Sequence, residues 1–138
     1  MSNAPDPAAL TAPGLDTVET LARSALETLP EPWRARAREV AIRVEEFAPP
    51  DMLSEMEMED PFDLTGLYDG TPLTEKSVMD QPIGPDTIWL FRRPILDEWA
   101  DRGNVTLGEM VGHVLVHELA HHFGWSDDDI AAIDPWWE

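Results

Sequence analysis

The chain contains no cysteine, which excludes disulfides, thiolate metal sites and a thiol nucleophile and leaves any metal ion to histidine, aspartate and glutamate. Basic residues are scarce: nine Lys and Arg stand against 28 Asp and Glu in 138 residues, a formal net charge of −19. A field of that sign repels nucleic acid and anionic membrane surfaces, so neither is an expected partner. No run of about 18 apolar residues occurs, so no membrane span is expected. The opening MSNAPDPAALTAPG has neither the basic nor the apolar region of a secretory signal, and the cytoplasm is the expected location. The length suits one domain, expected over residues 15–138 behind a flexible Pro- and Ala-rich tail at 1–14.

Periodicity sketches the rest. From Leu15, the apolar positions Val18, Leu21, Ala22, Ala25, Leu26 and Leu29 recur at helical spacing until Pro30 and Pro32, which predicts a helix covering a sheet. WRARAREVAIRVEEF opens as a helical turn and shifts at Val40, Ile42 and Val44 to the period of a strand with one buried face. The acidic stretch PPDMLSEMEMEDPFD reads as a solvated loop or short helix, the alternative being a surface that receives a cationic substrate or partner. Asp69-Gly70 inside LTGLYDGTPLT predicts a hairpin whose second arm, bearing Pro72, is confined to an edge. TIWLFRRPIL reads as a strand buried on both faces near its start, and LDEWADRGN as a short helix stopped by Gly103-Asn104.

The most informative segment is HVLVHELAHHFGWSDDD, residues 113–129. Thr106 with Glu109 forms a capping-box pattern and Gly124 suits a left-handed C-terminal residue, which delimits a helix over about 107–123. That helix is apolar nearly all round and so belongs in the middle of the domain, yet it carries His113, His117, Glu118, His121 and His122. Buried ionisable groups need compensation. His117 and His121, four residues apart, lie about 6 Å apart along the axis and about 40° apart around it, so both imidazoles can converge on one ion. Glu118 is turned about 100° from His117, which suits a carboxylate leaning over a metal-bound water as general base. Gly124 lets the chain turn back, so that Asp127 can supply a third ligand; Asp128 is the next candidate, and Ser126 and the aspartates could instead cap a final short helix. His113 lies about 12 Å along the axis from His121, too far to share one small ion with it. For His122 a surface or hydrogen-bonded role is expected. Tyr68, the sole tyrosine, and Arg92 or Arg93 are candidate oxyanion donors.

The pattern H-E-x-x-H-x-x-G-x-x-D resembles that of the zincins, with aspartate in place of the third histidine of the metzincins and no methionine following the motif. Together with VAIRVEEF, GLYDGTPLT and IWLFRRPIL, it makes residues 20–133 similar to the bacterial zincin-like metallopeptidases. That resemblance implies an α+β minimal zincin fold: a small mixed sheet, a covering N-terminal helix and a central active-site helix. It also implies Zn²⁺ held by His117, His121 and Asp127, with Glu118 as catalytic carboxylate. The expected activity is zinc-dependent hydrolysis of a peptide or protein substrate. The alternatives are a zinc-stabilised interaction module and a metallohydrolase of non-peptide amides. If peptides are cleaved, the net charge favours cationic ones.

Overall fold

In the computed structural model, the described residues are 13–70, 86–125 and 128. Helix α1 spans Leu15–Leu26 and buries Val18, Ala22 and Leu26, one position per turn of a single face. A short α2, Trp33–Ala37, leads into strand β1, Ala41–Glu45. Helix α3, Pro50–Glu55, starts at a proline whose missing N–H is unneeded in a first turn. It is followed by a 3₁₀ turn at Pro61–Asp63, capped by the Asp60 side chain accepting from the Phe62 N–H at 3.0 Å. Strands β2, Gly66–Asp69, and β3, Thr87–Phe91, precede helix α4, Arg92–Arg102, and helix α5, Leu107–Phe123.

Among the described residues the strands form one mixed sheet in the order β1-β3-β2, parallel between β1 and β3 and antiparallel between β3 and β2. Register sorts the side chains by face. Ile42, Val44, Ile88, Leu90 and Tyr68 join the main core with α1 and α5. Trp89, Phe91 and Leu67 turn to the other side, where Met52, Leu53, Ala48 and Leu64 cover them. The central strand β3 is therefore covered on both faces, as its continuous apolar run predicts. Arg43 shares the second face and stacks its guanidinium 5.0 Å from the Trp89 ring.

The N-terminal helix packs chiefly on α5 and also on β1. Its approach to α5 depends on Gly112, where a Cβ would stand 3.2 Å from the Ala25 Cβ. Helix α5 lies between α1 and the sheet with ten buried residues, which fits its nearly continuous apolar surface. No helix among the described residues is long and apolar enough to cross a membrane.

The boundary after β3 differs from expectation. The strand stops at Phe91, and Arg92, Arg93 and Pro94 already form the first turn of α4, so RRPIL is helical and the helix is 11 residues long. Proline has no N–H for a sheet ladder, but in the first turn of a helix that donor has no partner in any case. The Arg92 side chain, bonded to Glu46 and to the Pro13 carbonyl at 2.8 Å, holds this start against the end of β1. The second arm of the expected hairpin, most of the expected tail and the closing DPWWE lie outside the described residues.

Candidate metal and catalytic site

Both ends of α5 are fixed by local chemistry. The Thr106 hydroxyl accepts from the Glu109 N–H at 3.1 Å, and the Glu109 carboxylate accepts from the Thr106 N–H at 3.4 Å, a complete capping box. At the other end Gly124 takes φ 71°, and the Trp125 N–H returns to the Ala120 carbonyl at 3.0 Å. This phase sets the histidine stripe. His113 is buried, His117 and Glu118 are partly buried, and His121 is exposed. The His113 and His117 rings stack with centroids 6.2 Å apart, while those of His117 and His121 stand 6.0 Å apart and nearly perpendicular.

The two rings are neighbours on one side of α5, as positions i and i+4 of a helix are. The donor set fits zinc in kind: neutral-capable nitrogen donors four residues apart, with a carboxylate alongside. Asp127, the expected third ligand, lies outside the described residues. Among those that are described, no three His, Asp or Glu side chains complete a metal site. Asp128 is exposed.

Glu118 occupies an unusual position for a carboxylate. Burial raises its pKa above the ordinary value of 4.5, against the opposing pull of His121 and of a hydrogen bond from the Tyr68 backbone N–H. It sits beneath the edge of the sheet at Gly66. A Cβ there would come within 2.8 Å of Val114 Cγ1, 3.1 Å of the Trp89 carbonyl oxygen and 3.3 Å of Glu118 Cγ. Strand β2 thus lies against α5 because residue 66 has no side chain, and that contact delivers the Tyr68 N–H to Glu118. Sequence reasoning misses Gly66, although an isolated glycine in a strand is a recognised mark of close backbone approach.

The Tyr68 hydroxyl points elsewhere. It donates to Asp86 Oδ2 at 2.7 Å and lies 3.1 Å from His122 Nδ1, which is itself 3.0 Å from the same Asp86 oxygen. Burial first, then the bond to Asp86, holds this phenol well above its ordinary pKa, so it remains a donor. The group ties the last turn of α5 to β2 and to the start of β3. His122 has the hydrogen-bonded rather than the surface role. All three candidate oxyanion donors have partners of their own. Tyr68 is committed to this group, Arg92 to Glu46 and Pro13, and Arg93 lies 5.7 Å over the Phe47 ring.

A cleft of about 480 Å³ opens beside the helix. His113, Val114, His117 and Glu118 form one wall; α4 and the Pro61–Asp63 turn form the other. A desolvated carboxylate and two imidazoles of one helix thus face the same cleft.

A comparison with curated proteins returns no match. The family profile described as zincin-like metallopeptidase matches residues 37–137, the stretch that runs from the end of α2 through α5 and beyond. The chain therefore belongs to the zincin-like metallopeptidase family.

Proposed function

We propose that the protein is a zinc-dependent peptidase in which His117, His121 and Asp127 hold the metal and Glu118 is the general base and acid. The observation that carries this reading is the setting of Glu118: a desolvated carboxylate, steadied by the Tyr68 N–H, beside His121 and lining the cleft that His117 also lines. When bound, zinc acidifies water and polarises a carbonyl. Glu118 accepts the proton lost by the attacking water and returns it to the nitrogen of the leaving amine, so that one water and one peptide bond give a carboxylic acid and an amine, which pass a proton between them to become carboxylate and ammonium. His113, itself buried, lies one turn before His117 with the ring centroids 6.2 Å apart, and lines the same cleft. The group formed by Tyr68, Asp86 and His122 fixes the helical turn from which His121 projects.

The test joins metal content with turnover. Protein purified without an affinity metal is expected to carry about one zinc per chain, as catalytic sites of this ligand type do. His117→Ala is expected to abolish that content and Asp127→Ala to weaken it. A diverse peptide library and a panel of small amides, presented to the zinc-loaded protein, are expected to yield peptide products that Glu118→Gln does not form. Folded wild type that takes up no added zinc refutes the site; zinc-loaded wild type that cleaves only the small amides refutes the peptidase.

A further inference from the structure

The wall of the cleft facing α5 is acidic. Asp97, Glu98 and Asp101 of α4 line it together with Asp63, and with Glu118 they set, among the described residues, five carboxylates against one guanidinium, that of Arg102. Arg102 pairs with Glu98 at 3.2 Å. The side chains of Asp63, Asp97 and Asp101 have no ion pair or hydrogen bond with the described residues. The four acids of this wall do not converge: no three His, Asp or Glu among the described residues are grouped to hold a metal ion. A spread of separated carboxylates along a cleft suits a mobile organic cation better than a compact inorganic one. Phe62 stands on the same wall, 38% exposed, its ring braced edge-on against Phe47 at 5.0 Å. An exposed aromatic beside separated carboxylates offers a methylene stem an apolar surface and a cationic head a ring face and counter-charges.

We propose that this cleft binds an arginine or lysine side chain next to the bond presented to Glu118, so that the substrates are peptides with a basic residue beside the cleavage point. The inference rests on the reading of Glu118 as the residue at the reacting bond. A cleft in which one sign of charge predominates focuses its field and concentrates ligands of the opposite sign, and the net charge of −19 adds to that field over longer distances. Exposed pairs are individually weak, so the preference comes from several carboxylates acting together and amounts to about tenfold in kcat/KM over a neutral side chain of equal shape.

The test uses the zinc-loaded full chain and quenched fluorogenic peptides identical except at one position flanking the central bond, occupied by arginine, lysine, citrulline, glutamine or glutamate. Arginine is expected to exceed citrulline by about tenfold, glutamate to be poorest, and the arginine-to-citrulline ratio to fall as salt rises. In Asp97→Asn/Asp101→Asn the ratio is expected to fall to about twofold or less. A ratio is unaffected by a uniform loss of active protein, and Asp63→Asn, on another element, repeats the comparison if the double variant does not fold. Binding of the same peptides to Glu118→Gln, followed by fluorescence anisotropy, reads the preference without turnover. Cleavage with no preference for arginine, or with one that all the aspartate variants retain, overturns this inference and leaves the peptidase standing. No cleavage, with tighter binding of arginine peptides that the aspartate variants lose, overturns the peptidase and leaves the cationic cleft standing. Neither cleavage nor preferential binding overturns both.

Discussion

Gly66→Ala is the most direct test of how the fold places Glu118. The added methyl would stand 2.8 Å from Val114 Cγ1 and 3.1 Å from the Trp89 carbonyl oxygen, well inside van der Waals contact, and 3.3 Å from Glu118 Cγ. Val114 is β-branched on a helix and has essentially one χ1 rotamer, and the Trp89 oxygen belongs to the backbone of the central strand, so neither yields cheaply. Residue 66 has no positive φ, so alanine carries no conformational penalty of its own, and the whole cost is overpacking. Overpacking of this kind costs about 1–3 kcal/mol, which in a chain of this size lowers Tm by roughly 3–12 °C. Relief must come from separation of β2 and α5 by several tenths of an ångström, which moves the Tyr68 N–H away from Glu118. Because misplacement by about 1 Å costs on the order of a hundredfold in rate, kcat/KM is expected to fall by about tenfold. The assay pairs thermal unfolding with peptide turnover and zinc content. Val114→Ala in the same chain removes the closest contact, so the double variant is expected to be more stable than the sum of the two single changes. A Gly66→Ala protein that melts and cleaves like wild type, or a double variant that is merely additive, refutes this account of the β2–α5 contact.

Other outcomes follow from the same geometry. Tyr68→Phe strips a hydrogen bond from partly buried Asp86 and buried His122 and is expected to cost about 1–3 kcal/mol by thermal unfolding, with kcat/KM within about tenfold of wild type; a hundredfold loss at unchanged Tm would make its hydroxyl the oxyanion donor. In metal-free protein the raised pKa of Glu118 makes its ionisation unfavourable to folding: its contribution is best below 4.5 and is lost as pH rises through the higher folded value. Metal-free Glu118→Gln is therefore expected to melt above metal-free wild type near neutrality, with the gap closing below about pH 4, and a variant that melts lower at neutral pH contradicts desolvation as the cause. Free zinc at about a thousand times its Kd is expected to add about 4 kcal/mol to wild type and nothing to His117→Ala, measured by unfolding in chelator and in zinc; equal stabilisation of both proteins would mean that zinc binds elsewhere.

What could be read from the sequence divides by the range of the interactions involved. Helix α5 was legible at both ends because Thr106 with Glu109 and Gly124 act within one turn of themselves, and its bounds of 107–123 are those observed. The coverage of β3 on both faces was legible too, since an unbroken TIWLF leaves no solvated side. The change from β3 to α4 was not, because Ile95 continues the apolar run and period alone does not separate a buried strand from the buried first turn of a helix. Within the site, the neighbourhood of His117, Glu118 and His121 follows from helical spacing alone. The groups that tune it do not: Tyr68 meets Asp86 and His122 across 18 and 54 positions, and Gly66 meets Glu118 only once β2 has been paired to β3 in one register. The acidic wall is the same kind of case. In the sequence, Asp97, Glu98 and Asp101 are the solvated face of a short helix; what makes them part of a cleft is that α4 begins at Arg92 and carries those positions opposite α5. On the proposed reading the motif supplies the reacting groups, and the sheet edge and α4 decide what meets them. That reading places chemistry in local sequence and selectivity in long-range contacts, so substitutions that alter substrate preference without abolishing cleavage are expected on α4 and the 61–65 segment rather than on α5.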